Sequence, residues 1–214
     1  MKERIETMKL LNLGQIAREL HDASYPYGLG TYYLESAALW DKHIKRNGQA
    51  TRQELVLLYD ARGDHCYYTE ENLAGAAENY AKARDHAEGA EKQYLDALVH
   101  ECIGLWLKGL RQWAAAPEYL RKAADLYVSC EPQSENDAKM LLHSALALEG
   151  EALYCEARLA AAAVARQLLD RAEACAGKAL RLNPLWGKNA TSDTPGALLK
   201  SIADYRKELT QDEN

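Results

Sequence analysis

The 214-residue sequence contains no phenylalanine and only five prolines. Its aromatic mass falls to 13 tyrosines and four tryptophans, side chains with a polar tip that seeks a hydrogen-bond partner when buried. With so little proline, and with Ala, Leu, Glu, Lys and Arg abundant, helix is the expected class. No run of about 18 apolar residues occurs, so no membrane-spanning helix is expected. The opening Met1-Lys2-Glu3-Arg4-Ile5-Glu6 is mixed in charge and has no apolar secretory core. The five cysteines (Cys66, Cys102, Cys130, Cys155, Cys175) are odd in number and widely spaced, which reads as reduced thiols in a cytoplasmic protein. Without a signal peptide, the sequon Asn189-Ala190-Thr191 reads as chance.

Several chemistries lack their motifs. A net charge of −6, with Lys and Arg scattered among acids, argues against a general nucleic-acid binder, because phosphate contacts need clustered cations. Gly28-Leu29-Gly30-Thr31 has neither the lysine nor the preceding strand of a phosphate loop. Neither a nucleophile elbow nor a His-Glu-x-x-His motif is present. His65-Cys66 and His100-Glu101-Cys102 bring His and Cys close in sequence. Neighbours one or two apart on a helix point to different faces, so neither pair makes a zinc site. The expectation is a protein without catalytic residues, metal or cofactor.

What is there is a chain 48% apolar and 27% charged, the balance of a globular protein. It is long enough to bury a core unaided, and a single all-α domain over 1–214 is expected. Apolar positions recur at helical spacing over 2–21, 31–46, 51–68, 70–87, 90–109, 112–129 and 195–209. Tyr25-Pro26-Tyr27-Gly28-Leu29-Gly30 breaks the first from the second, and Asn47-Gly48 closes the second. Thr51 with Glu54 forms a capping box, and Thr69 is expected to cap the helix that Gly89 ends. The acids Glu70 and Glu71 then sit at a helix start, where the dipole favours them. Gly109 closes the next helix. Pro117 is tolerable only in a first turn, so the helix after it starts later than its pattern suggests. Ser134 and Asp137 cap a long stretch running to Asn183-Pro184. One helix of 50 residues is improbable, and a break is placed near 156–166. A polar loop follows Trp186, and Thr194 caps a last helix with Pro195 at its first position.

Glycines fall partway through alternate helices, at Gly14, Gly63, Gly104 and Gly150. The following helices carry stripes with identical offsets: Leu73, Ala76, Tyr80, Ala83; Trp113, Ala116, Leu120, Ala123; and Leu169, Ala172, Ala176, Ala179. Tyr33, Ser36, Trp40 and His43 keep the same offsets. Together with Arg62-Gly63-Asp64-His65-Cys66-Tyr67-Tyr68 and the ending Lys178-Ala179-Leu180-Arg181-Leu182-Asn183-Pro184, this resembles the tetratricopeptide repeat (TPR). The glycine intervals exceed the family's repeat of about 34 residues, and one repeat ends in proline. The resemblance implies a TPR-like α-solenoid of four helical hairpins (about 2–47, 51–88, 90–129 and 134–183) with a capping helix over 194–210. Each hairpin cannot bury its face alone, so neighbours stack.

The resemblance also implies a concave face lined by the first helix of each pair, one position after and three before each glycine. Those positions include Asp64 and Asp60, Leu105 and Glu101, and Glu151, with Tyr67, Lys108 and Tyr154 one turn further on. The Lys and Asn that hold a C-terminal carboxylate in chaperone-binding members are missing. The lining is an acidic, tyrosine-bearing groove for a protein or peptide of basic or mixed character. The expected function is a non-enzymatic interaction scaffold or adaptor. A sensor segment of a larger multidomain regulator, which a helix-first opening would suit, and a small-ligand-binding bundle are the alternatives. Inverting the charge of Asp60, Asp64, Glu101 and Glu151 is expected to abolish partner capture without unfolding the chain.

Overall fold

The computed structural model describes residues 13–19, 30–182 and 195–211. The rest of the expected first helix, the break around Tyr25–Tyr27, the Asn183-Pro184 stop, the loop after Trp186 and the Thr194 cap lie outside them. Helices account for nearly all the described residues, and no strand occurs among them. They are α1 (13–19), α2 (Gly30–Asn47), α3 (Arg52–Tyr68), α4 (Leu73–His86), α5 (Gly89–Gly109), α6 (Ala116–Ser129), α7 (Glu135–Ala157), α8 (Ala162–Leu182) and α9 (Pro195–Gln211). The chain divides into two compact units, Met1–Cys102 and Ile103–Asn214, with the boundary inside α5.

Local chemistry sets most helix ends. The Thr51 amide donates to Glu54 Oε2 at 2.8 Å, and the Glu54 amide donates to Thr51 Oγ1 at 3.2 Å, the expected capping box at α3. Glu54 Oε1 also meets His43 Nε2 of α2 at 2.8 Å, so the cap is tied to the neighbouring helix. Partial burial pushes the Glu54 carboxyl up, but bonds from the Thr51 amide, His43 and the Thr51 hydroxyl outweigh it, leaving the carboxyl below its ordinary value. A carboxyl depressed in the folded state contributes stability above its unfolded pKa and loses it as pH falls through the folded one. Glu54→Gln is therefore expected to cost stability at pH 7, and the difference from wild type should shrink as pH drops below the usual carboxylate range. Thr51→Ala should cost about 1 kcal/mol at pH 7. Urea unfolding at several pH values checks both; a Glu54→Gln deficit that persists at low pH would refute the ionic part.

Ser134 Oγ accepts from the Asp137 amide at 3.1 Å and starts α7, as expected. Pro117 sits in the first turn of α6, which begins at Ala116, as the proline requires. Trp113 consequently lies before that helix, not on its stripe. The cap at Thr69 is corrected: Thr69 closes α3, its amide donating to the His65 carbonyl at 3.0 Å, and Asn72 caps α4 by accepting from the Gly75 amide at 2.9 Å. Glu70 and Glu71 therefore lie in the connection, with Glu71 at φ 52°, and not in a first helical turn. Gly89 opens α5; α4 ends at His86.

The α5 end holds another surprise. Gln112 N–H donates to the Leu107 carbonyl and Arg111 N–H to the Lys108 carbonyl, both at 2.9 Å, which is a Schellman closure. Its left-handed residue is Arg111 at φ 58°, where glycine is usual. The long stretch from Glu135 does break inside the expected window, between Ala157 and Ala162, without glycine or proline. The amides of Arg158, Leu159 and Ala160 turn back onto the carbonyls of Tyr154, Glu156 and Ala157.

Helices pack in sequence-adjacent pairs. In the first unit α2 lies against α3 and α3 against α4; in the second α6 packs on α7, α7 on α8, and α9 on both α7 and α8. Ala17, Ala37, Trp40, Leu58 and Ala61 form a core in the first unit. Leu153, Leu169, Ala172, Ala176, Leu198 and Ile202 centre the core of the second. The glycines mark where a bulky side chain of the next helix presses on the backbone. A Cβ on Gly63 would lie 2.4 Å from the Tyr80 ring, one on Gly104 2.7 Å from Leu120 Cγ, and one on Gly14 3.0 Å from the Trp40 ring. In the fourth pair the corresponding stripe position is the small Ala176, and α8 approaches Gly150 with its backbone, the Ala172 carbonyl oxygen lying 3.2 Å from where a Cβ would stand. Gly150 instead faces Leu198 of α9, whose Cδ2 would lie 2.9 Å from an added Cβ. The last helix thus supplies the bulk that the stripe of α8 lacks.

Candidate functional site

The eight residues expected to line a groove fall four to each unit. Asp60, Asp64, Tyr67 and Glu101 belong to the first; Leu105, Lys108, Glu151 and Tyr154 belong to the second.

In the first unit two separate hydrogen bonds involve three of the four. The Tyr80 hydroxyl donates to Asp64 Oδ1 at 2.6 Å, and both side chains are buried. Burial, then the charge of Asp64, and then Cys102, Tyr68 and Asp60 hold the Tyr80 hydroxyl well above its ordinary pKa, so it stays a donor. The Tyr67 hydroxyl donates to Glu101 Oε1 at 2.7 Å. Asp60, Tyr67 and Glu101 are half-buried. Asp64 comes one residue after Gly63, and Gly63 is what lets Tyr80 approach; the same packing thus places both groups of the hydrogen bond.

In the second unit Leu105 is buried. Lys108 Nζ lies 2.9 Å from Glu151 Oε2, and the Glu151 side chain is only 3% exposed. The pair is an internal bridge between α5 and α7. Tyr154 is buried and stands edge-on to the rings of Trp113 and Tyr205, at 6.2 and 6.3 Å. Inverting Glu151 would set a second cation against Lys108 in a buried bridge, and inverting Asp64 would bury a cation and take away the acceptor of the Tyr80 hydroxyl, so the four-acid inversion cannot spare the fold. Asp60 and Glu101 are the acids of that set accessible enough to test.

A cluster that sequence spacing did not signal adjoins Tyr154. The Arg158 guanidinium lies over the Tyr205 ring at 4.1 Å and the Trp113 ring at 5.6 Å, and donates to Glu208 at 2.8 Å. Its members come from a turn, a helix end and α9, so no period relates them. Arg158→Ala should cost about 1–2 kcal/mol and raise amide exchange in α9 before the rest of the unit. Arg158→Lys should restore little, because an ammonium cannot lie flat between two rings. Exchange rates in α9 equal to wild type would remove this role.

All five cysteines are free thiols. Burial, then the Glu151 charge, pushes the Cys155 thiol up to about 12. At pH 8 its thiolate fraction is then about one in ten thousand. A thiol reagent should label half-exposed Cys66 and Cys175 while sparing Cys155 until the unit unfolds; prompt labelling of Cys155 would contradict its burial. His100 Nδ1 lies 2.7 Å from the Asp96 carbonyl, and Cys102 is fully buried. Among the described residues no group of three or more His, Cys, Asp or Glu is arranged to hold a metal ion, and no helix is long and apolar enough to cross a membrane.

The fold defines an all-α protein of helices packed in sequence-adjacent pairs, compatible with a helical repeat. The chain matches no protein-family model, no curated protein and no solved structure.

Proposed function

We propose that the chain is a non-enzymatic scaffold or adaptor of the TPR-like kind, a stack of helical hairpins that holds a peptide or helix of a partner protein. The observation that carries this reading is the repeated interlock of Gly14 with Trp40, Gly63 with Tyr80 and Gly104 with Leu120. One packing device used in successive pairs makes each hairpin a similar unit, which is the premise of a helical repeat. Of the residues expected to line the groove, Asp60, Tyr67 and Glu101 of the first unit are half-buried, a degree of exposure suited to contact area and charge selection.

The test is affinity capture from lysate of the source cells, read by mass spectrometry, with an Asp60→Lys/Glu101→Gln variant beside the wild type. A protein retained by the wild type and lost by the variant, with unchanged circular dichroism, is the expected result. A blank from a folded wild-type protein would sink the scaffold reading.

A further inference from the structure

The charges of α8 are sorted by its neighbours. In sequence the helix is mixed, with Arg171, Lys178 and Arg181 among Asp170 and Glu173. In the structure both acids pair with Arg206 of α9, which meets Asp170 at 2.5 Å and Glu173 at 2.8 Å. The nearby carboxylates of α7 are engaged by α6, Glu149 and Glu156 both accepting from Arg121. Arg171, Lys178 and Arg181 are exposed and have no hydrogen-bond or ion-pair partner among the described residues. Glu156 answers first to Arg121 and to Arg171 only through space.

Spacing on one helix puts these cations on one face. At about 100° per residue, Val164, Gln167, Arg171, Ala174, Lys178 and Arg181 fall within about 100° of arc, opposite the buried stripe that begins at Leu169. All six are exposed. The face is about 25 Å long, neutral in its first half and cationic in its second. Between Arg171 and Lys178 it carries only the methyl of Ala174, so nothing bulky holds off a rod laid along it.

We infer that the outer face of α8 is a docking surface for an acidic amphipathic helix of a partner protein. Charge complementarity selects the occupant. A row of carboxylates meets three cations that the chain itself leaves unbridged, and Asp170 at the edge of the face is already tied to Arg206. Apolar side chains between those carboxylates rest on Val164 and Ala174. A nucleic acid suits the face less well, because three cations neutralise few phosphates and a chain of net charge −6 repels a long polyanion. None of the residues expected to line the groove lies on this helix, so binding here is independent of binding there.

The full chain is titrated with a fluorescein-labelled helical peptide of about 15 residues, long enough to cover most of the face, with glutamates along one side among alanine and leucine. The same peptide with glutamine for glutamate is the control. The glutamate peptide should bind at least about tenfold more tightly, by a margin that shrinks as salt is raised. Lys178→Gln/Arg181→Gln should weaken it about three- to tenfold. Lys45→Gln/Arg46→Gln, the same loss of charge at the exposed end of α2, should leave it unchanged. Ala174→Glu should bind worst of all while unfolding in urea no earlier than wild type, since the new acid stands three and four residues from Arg171 and Lys178 on the same helix. No binding, equal binding of the two peptides, or indifference to Lys178→Gln/Arg181→Gln overturns the docking surface. Tighter binding of a single-stranded oligonucleotide of the same charge, lost in the same variants, overturns the choice of occupant.

Discussion

Gly63→Ala should destabilise the protein by about 2–3 kcal/mol, against a gain expected from helix propensity alone. Alanine in a helix interior ordinarily improves on glycine by about 0.5–1 kcal/mol. Here the added methyl would lie 2.4 and 2.5 Å from two carbons of the Tyr80 ring. That ring is 1% exposed and cannot swing into solvent. Its hydroxyl is also anchored on Asp64 at 2.6 Å, so retreat breaks a buried hydrogen bond as well. The remaining response is to part α3 from α4, which opens the interface that both helices bury. Gly177→Ala is the matched control. An added Cβ there meets only the flexible end of Arg181 at 3.8 Å, and that variant should gain about 0.5–1 kcal/mol. Urea unfolding measures both. A Gly63→Ala protein within about 0.5 kcal/mol of wild type would mean that the interlock has slack, and would weaken the repeat argument built on it.

Lys108→Ala should cost about 3–5 kcal/mol, more than any exposed ion pair of the chain could explain. Glu151 is 3% exposed at its side chain, and Lys108 bridges it at 2.9 Å. Truncating the lysine leaves a carboxylate in a site where water cannot replace the lost ammonium. The pair itself need not be strongly stabilising, because taking both charges out of water offsets most of their attraction. Lys108→Met with Glu151→Leu should therefore recover most of the loss. Chemical unfolding of the singles and the double closes a mutant cycle. If Lys108→Ala unfolds like wild type, water reaches Glu151 and the bridge is a surface pair. Arg206→Ala gives the comparison: its bonds to Asp170 and Glu173 are largely solvated, and about 1 kcal/mol or less is expected.

Comparing expectation with structure separates two kinds of information. Helix starts were legible where one side chain caps a nearby amide. Thr51 with Glu54 and Ser134 with Asp137 act over three residues, and that spacing is written in the sequence. The burial of the stripes was equally legible: Ala76, Tyr80 and Ala83, Ala116, Leu120 and Ala123, and Leu169, Ala172, Ala176 and Ala179 are all buried. So was the inner face of α9, through Leu198, Ile202, Tyr205 and Leu209. At α4 the expected cap, Thr69, did not hold, because local pattern did not reveal that α3 extends to Tyr68 and is closed by Thr69. The left-handed turn at Glu71 consumed the intervening residues and moved the cap to Asn72.

The residues of the candidate site show the other kind. Asp64, Glu101, Glu151, Lys108 and Tyr154 were picked by register as outward-facing, and register does place them on the first helices of their pairs. Whether an acid on that face meets solvent or a neighbour depends on the helix packed beside it. Asp64 found Tyr80, Glu101 found Tyr67 and Glu151 found Lys108. The sequence by itself determined the helices, their capped starts and the faces they bury, because those follow from interactions within one or two turns. Only the tertiary structure decided which charges are bridged, that Leu198 of α9 presses on Gly150, and that Arg158 lies over both Trp113 and Tyr205. Those outcomes join residues 16 to 50 positions apart in the chain, where no periodicity carries information and the packing of whole helices sets the distance.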